Sequence, residues 1–356
     1  MASPSAPASE LIVRRDGRAG RITLNRPQAL NALTYDQIIS IEHALDIWTN
    51  DSDVKFVLLD GAGDRAFCAG GDILAMYENR NDGGEFASRF WRDEYRLNAK
   101  IGRYCKPIVS VMDGIVMGGG IGLGAHASHR VVTEHSSLAM PETGIGLVPD
   151  VGGTWLLANA PGRLGEYLGL LGERMAAADA IYAGFADTFV RRTDLPPLVR
   201  ALTDPQGEAL SVTLANHATA PPAAVLAPRQ DDVDTLCSKP TLEDILNGLH
   251  AHSENWAQSA AQSASTRSPL SMKLALAAIR AARQLGSLED VLNLEFRLTT
   301  RLFVHGEFIE GIRALLIDKD KAPRWQPPQM RDISPDMVSE FLGPLTSQPE
   351  LGLSAT

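Results

Sequence analysis

The sequence predicts a layered α/β fold followed by a helical C-terminal region. Two observations carry this reading. Short apolar runs alternate with helix-length stretches through the first half, and after Val190 proline-broken segments give way to long helical patterns. Val54-Lys-Phe-Val-Leu-Leu59 reads as a buried strand, ended by Asp60-Gly-Ala-Gly63. Pro107-Ile-Val-Ser-Val-Met112 reads as a second, ended by Asp113-Gly114, and Arg130-Val-Val-Thr133 as a shorter third. Helices are expected from Tyr35 to Thr49 and from Arg89 to Arg103.

The remaining elements follow in order. Asp194-Leu-Pro-Pro197, Ala220-Pro-Pro222 and Ala227-Pro228 interrupt the alternation, which implies a linker or variable helical region. From Pro269 the pattern is helical to about Leu316. Ser287-Leu-Glu-Asp290 has the form of a capping box, and Gly306 suits a helix end. The expected organisation is a disordered tail over 1–10, an α/β core with the active site over 11–190, a variable region over 191–268, C-terminal helices over 269–325 and a peripheral tail over 326–356.

Composition excludes several function classes. The 356 residues suit a large buried core, and 44% hydrophobic with 21% charged residues is an ordinary globular balance. A formal charge of −10 disfavours nonspecific nucleic-acid binding, which requires Lys and Arg to neutralise phosphates. No apolar run is long enough to span a bilayer, so no membrane partner is expected. Cys68, Cys105 and Cys237 show no paired spacing, which fits a reduced, cytoplasmic setting. The first ten residues lack both a secretory apolar core and an Arg-rich amphipathic pattern.

Chemistry concentrates between Ala66 and Thr154. Ala66-Phe-Cys-Ala-Gly-Gly-Asp72 and Met117-Gly-Gly-Gly-Ile-Gly122 are glycine-rich turns that can expose backbone N–H groups. Two such groups aimed at one point form an oxyanion hole. Met140-Pro-Glu-Thr-Gly-Ile-Gly-Leu-Val-Pro-Asp-Val-Gly-Gly-Thr154 then presents the carboxylates of Glu142 and Asp150. This set suggests chemistry on a thioester or similar acyl group.

In order and spacing these segments resemble the crotonase (enoyl-CoA hydratase/isomerase) superfamily, most closely its 3-hydroxyisobutyryl-CoA hydrolases. Phe67-Cys-Ala-Gly-Gly-Asp-Ile73, Arg92-Asp-Glu-Tyr-Arg-Leu-Asn98, the Met140–Gly153 run and Gly311-Ile-Arg-Ala-Leu-Leu-Ile-Asp-Lys-Asp-Lys-Ala-Pro-Arg-Trp325 carry the narrower match. The resemblance extends from about Leu24-Asn-Arg-Pro27 to Trp325. It implies a crotonase-like spiral of ββα units and hydrolysis of a short 3-hydroxyacyl-CoA, as in valine catabolism. Coenzyme A would be part of the substrate, with no separate cofactor and no metal. Self-association is the protein partnership it allows.

The resemblance assigns Gly71 and Gly119 as oxyanion donors. Glu142 would attack the thioester carbonyl or activate water. Asp150 stands where simple hydratases carry a small residue; it would bind the substrate 3-hydroxyl, orient water or the leaving thiol, or merely cap the next helix. Glu94 matches a substrate-contact position, against the alternative of a helix-surface charge. Asn25-Arg-Pro-Gln-Ala-Leu-Asn-Ala32 resembles the nucleotide-binding turn, and Ala69, Asp72 and Ile73 lie in the loop expected to curl around CoA. Arg26 and Lys319 would offset phosphate charge or remain solvated.

The rival activity is an enoyl-CoA hydratase or isomerase. Hydratases of this superfamily use a second Glu two positions after the glycine triplet, and that position is Gly122 here. A non-catalytic acyl-CoA-binding protein would require Glu142 and Asp150 to be incidental. Glu295 shares a helix face with Leu288, Val291, Leu292, Leu298 and Leu302, which predicts a buried ion pair with Arg297 or Arg301, or else a catalytic group. Gly61-Ala-Gly-Asp-Arg-Ala66 loosely fits a dinucleotide fingerprint but is not followed by a helix pattern. No Gly-x-Ser-x-Gly elbow is present, and His126, His129, His250 and His252 lack a zinc-ligand pattern.

Overall fold

The computed structural model describes residues 9–355. An antiparallel pair, β1 (Leu11–Asp16) and β2 (Ala19–Leu24), leads into α1 (Tyr35–Thr49). Thr34 and Gln37 close a reciprocal capping box at the start of α1, which explains why the helix begins there. Then come β3 (Phe56–Gly61), β4 (Ala66–Cys68), α2 (Ile73–Glu78) and α3 (Glu85–Gly102). The Asp82 carboxylate accepts the N–H groups of Gly84, Glu85 and Phe86 and so fixes the start of α3, four residues ahead of the expected Arg89.

β5 (Ile108–Met112), β6 (Ile115–Met117) and α4 (Gly119–Gly124) form the next unit. β7 (His129–Val132) and β8 (Ser137–Ala139) follow, with α5 (Gly153–Asn159), α6 (Leu164–Leu171), α7 (Ala177–Tyr182) and β9 (Thr188–Phe189). After the first hairpin, the pairs β3/β4, β5/β6 and β7/β8 each split between two sheets. β1-β2-β3-β5-β7-β9 makes the larger sheet, parallel after its first hairpin, and β4-β6-β8 makes the smaller, all parallel. That alternation is the expected spiral of ββα units. It brings the C-terminal ends of β4, β6 and β8 side by side.

Residues 191–268 form α8 (Leu195–Thr203), α9 (Leu210–His217), α10 (Gln230–Cys237), α11 (Leu242–Ala251) and α12 (Asn255–Ala264). The remaining helices are α13 (Pro269–Ala282), α14 (Leu288–His305), α15 (Glu307–Ile312), continued by a π-turn over Arg313–Ile317, and α16 (Pro335–Leu342). Ser287 caps α14 through the Asp290 N–H, and Gly306 ends it in the left-handed conformation. The Ser287 hydroxyl also donates to the Asp290 carboxylate, so only half of the expected capping box forms.

Two expectations about the ends need correction. Residues 1–8 of the expected tail lie outside the described residues. Glu10, however, is held: its carbonyl accepts from Asn25 N (2.8 Å) and Gln37 Nε2 (2.8 Å). The 326–356 segment is not peripheral. Ile333, Phe341 and Leu351 are buried in the main core, and Glu350 accepts the Arg297 guanidinium at 3.0 Å. Arg301 donates to the carbonyls of Phe341 and Gly343, and Arg92 to that of Glu350. Apolar anchors spaced along a polar segment, with arginines satisfying its carbonyls, are hard to see in a composition scan.

Truncating one of those anchors tests the correction. Leu351→Ala is expected to lose about 2–3 kcal/mol, the usual range for a buried Leu that leaves a cavity. It would be read as a lower urea midpoint at unchanged slope, whereas a peripheral tail predicts no shift.

Candidate active site

The spiral delivers the two glycine turns to one place. The loop after β4 is pinned to the segment before α1: Ala69 N donates to Leu30 O (3.1 Å), Leu33 N to Gly70 O (2.8 Å) and Asp72 N to Leu33 O (2.8 Å). The neighbouring parallel strand β6 runs directly into Gly118, and Gly119 opens α4, where a backbone N–H has no intrahelical acceptor. The approach is close: a Cβ placed on Gly119 would lie 3.2 Å from Gly71 N and 2.6 Å from Glu94 Oε1. Both expected oxyanion donors and Glu94 therefore meet.

The third strand of the small sheet, β8, leads into Pro141 and a 3₁₀ turn over Glu142–Ile145. Glu142 and Asp150 are both buried, and both line a cavity of about 290 Å³ together with Gly71, Gly119 and Glu94. Ala69, Asp72 and Ile73 also line it, as expected for the CoA loop, and Phe90, Trp91, Phe308 and Leu316 supply apolar wall. The Asp150 Oδ2 accepts the Tyr95 hydroxyl at 2.7 Å. Tyr95 follows Glu94 on α3, so one helix turn presents a carboxyl to Gly119 and a phenol to Asp150.

Burial sets the electrostatics. It pushes the Asp150 carboxyl up to about 7, although the Tyr95 hydrogen bond pulls the other way. It holds Glu142 well above the usual carboxylate range, with the Asp150 charge as the second cause. Glu94 is raised by the same two causes. The half-buried Arg267, which donates to Thr143 Oγ1 at 2.9 Å, is the cation that opposes this trend at Glu142. Glu142 Oε2 and Glu94 Oε1 have no hydrogen-bond partner among the described residues, which leaves them for a bound molecule. Cys68 is not a nucleophile here, because burial pushes its thiol up to about 12.

Other expectations change. Arg26 is committed internally: it donates to Ala32 O (2.7 Å) and pairs with Asp72 (3.1 Å) and Glu10 (3.3 Å). It braces the loop rather than waiting for phosphate. Asp72 caps α2 through the Ala75 N–H. Lys319 is exposed, just beyond the cavity-lining Leu316. Asp150 does not cap α5 with its side chain, since the cap position is Gly152. Glu295 forms no ion pair with Arg297 or Arg301; its two oxygens accept Gly152 N (2.7 Å) and Thr154 N (2.9 Å). The pattern of residues did not reveal Tyr95 or His126 as site groups. His126 Nε2 lies 2.8 Å from Val151 O in the Asp150 turn. Among the described residues, no group of three or more His, Cys, Asp or Glu is arranged to hold a metal.

Substitutions at two positions probe this geometry. Gly119→Ala and Gly119→Pro place the same Cβ beside Glu94, but only proline removes the N–H; kcat for Pro is expected about 100- to 1000-fold below Ala. Equal turnover would remove this N–H from the site. Asp150→Asn reads the electrostatics. A carboxyl raised from its ordinary 3.8 to about 7 stabilises the fold fully only below the ordinary value, and that contribution is lost as pH rises through about 7. The Tm difference, Asn variant minus wild type, is therefore expected to be more positive at about pH 8 than at about pH 5. A pH-independent fall in Tm would indicate a lost structural bond instead.

Comparison with known proteins agrees with this fold. A family model described as enoyl-CoA hydratase/isomerase matches residues 19–342. The zebrafish (Danio rerio) protein named 3-hydroxyisobutyryl-CoA hydrolase, mitochondrial, is 39% identical over 96% of this chain and 91% of its own. The Homo sapiens protein of the same name is 36% identical over 96% and 90%. A solved structure described as a carnitinyl-CoA dehydratase from Mycobacterium thermoresistibile is 44% identical with a TM-score of 0.92, covering 96% of this chain and 98% of that one. Another, described as an enoyl-CoA hydratase from Rhodobacter sphaeroides 2.4.1, is 44% identical with a TM-score of 0.91, covering 97% and 100%. Matched along nearly its whole length by both the family model and these relatives, the chain belongs to the enoyl-CoA hydratase/isomerase family.

Proposed function

We propose that this protein hydrolyses a short 3-hydroxyacyl-CoA thioester of the 3-hydroxyisobutyryl-CoA type to the free acid and CoA. The observation that carries this reading is the pairing of Glu142 and Asp150 in one cavity with Gly71 and Gly119. The two glycine N–H groups would polarise the thioester carbonyl and hold the oxyanion that forms. Glu142, kept basic by burial, would take a proton from water or attack the carbonyl carbon itself. The C–S bond breaks, water supplies the new oxygen, and sulfur leaves as the protonated thiol. Asp150, oriented by Tyr95, would accept the substrate 3-hydroxyl, and the unpartnered Glu94 Oε1 would contact the acyl group beside the hole.

The descriptions of the two solved structures favour hydration or dehydration instead, and position 122 weighs against that reading. Adding water across a double bond here would call for a second carboxylate after the glycine triplet. A Cβ on Gly122 would fall 2.7 Å from Asn98 Nδ2 and 2.8 Å from Val151 Cβ. Asn98 and Val151 already fill the space, so the chain has neither the carboxylate nor room to carry one. The curated relatives at 36–39% identity are named as hydrolases. Their names also say mitochondrial. Three free cysteines support a reducing compartment for this chain, with the cytoplasm as our reading. No helix among the described residues is long and apolar enough to cross a membrane.

Thiol release separates the activities. The protein is expected to liberate CoA from 3-hydroxyisobutyryl-CoA and to hydrate crotonyl-CoA slowly or not at all. Glu142→Gln should nearly abolish release while the ester still binds, because the amide keeps the shape but neither basicity nor nucleophilicity. Rapid hydration without thiol release would sink the proposal.

A further inference from the structure

The turn that carries Asp150 is held in an unfavourable backbone conformation from two sides. Val151 has φ +56°, in the left-handed region that a β-branched residue rarely enters. Such a conformation persists only where the surroundings over-determine it, and it clusters at functional sites. On one side α14 delivers Glu295, fully buried, with one oxygen on Gly152 N and the other on Thr154 N. On the other side lies His126, beyond the end of α4. Its neighbour Val151 O is an acceptor, so His126 Nε2 must be the donor. Burial pushes this imidazole down to about 4, which keeps it neutral.

Ordinary helix capping does not explain Glu295. A local Ser, Thr or Asn would cap α5 without burying a charge. The chain leaves that position to Gly152 and draws an acceptor from 143 residues away in sequence. The carboxyl so placed lies in the field of Asp150, and burial with that charge holds it up at about 8. The same turn of α14 reaches Asp150 by a second route. Thr299 Oγ1 donates to Glu295 O at 3.1 Å and lies 3.4 Å from the Tyr95 hydroxyl, which in turn holds Asp150.

We propose that Glu295 and His126 are positioning residues that lock the Val151–Gly152 backbone and thereby fix where the Asp150 carboxylate meets the substrate. The proposal rests on the reading of Asp150 as the group that recognises the 3-hydroxyl. Neither residue touches the reacting atoms; both act through the turn.

A double-mutant cycle tests it on the full-length enzyme. Glu295→Gln offers one acceptor but turns an NH₂ toward the second backbone N–H, so it releases half the clamp. kcat/KM would be measured for 3-hydroxyisobutyryl-CoA and isobutyryl-CoA on wild type, E295Q, D150N and the double variant. E295Q alone is expected to cost the hydroxyacyl ester on the order of 100-fold, the scale of a small misplacement, and to shrink the preference between the two esters. In the D150N background it should cost no more than about twofold, the scatter of additive sites. An equal cost in both backgrounds, or no cost at all, overturns the proposal. Failure of the Asp150 reading itself shows separately, as an unchanged ester preference in D150N alone. If E295Q does not fold, the same cycle with His126→Leu, which removes a neutral donor and no charge, decides by the same criterion.

Discussion

Four carboxyl groups, Glu94, Glu142, Asp150 and Glu295, are buried within one region of this protein, and desolvation raises all of them. Removing a charge from water costs several kcal/mol unless partners replace the lost hydration. Here the replacement is graded. Glu295 receives two backbone N–H groups, Asp150 receives the Tyr95 hydroxyl, and Glu142 is opposed by Arg267. Glu94 Oε1 and Glu142 Oε2 receive no hydrogen bond from the described residues. The gradient follows position: Glu295, with both oxygens satisfied, holds a turn, and the less satisfied Glu94, Glu142 and Asp150 line the cavity.

Much of the architecture reads as support for that arrangement. The small parallel sheet sets β4, β6 and β8 side by side, so the turns bearing Gly71, Gly119 and Glu142 emerge together. α3 carries Glu94 and Tyr95 into the space, and α14 carries Glu295 behind the Asp150 turn. Trp91, Phe303 and Phe308 pack as an aromatic group between α3, α14 and α15, which holds these helices in register. Like-charge burial of this kind lowers stability in exchange for basicity near neutral pH, a trade common at active sites.

The legibility of the site from sequence follows contact range. Gly71, Gly119, Glu142 and Asp150 sit in compact glycine- and proline-marked segments, and those segments together with the family resemblance pointed to them. α1 was legible end to end because Thr34 and Gln37 cap it locally. Tyr95 and Glu295 were not legible, because their partners lie 55 and 143 residues away and nothing local marks them. The helical face of α14 predicted burial of Glu295 correctly, but suggested an arginine partner where backbone N–H groups stand. Arg26 misled in the opposite sense: an apparently free cation near a binding turn is consumed by Asp72 and Glu10. The chain after Trp325 looked peripheral because its three core anchors are diluted among polar residues.

The central claim is that burial raises the Glu142 carboxyl well above the usual carboxylate range, so that its ionised form is a stronger base than an exposed glutamate. Infrared spectroscopy of the full-length enzyme, with carboxyls isotopically labelled and compared against Glu142→Gln, follows their protonation directly. The account predicts a carboxyl band that is lost in Glu142→Gln and that titrates well above the ordinary glutamate range. Complete ionisation of Glu142 with an ordinary carboxylate titration would contradict it.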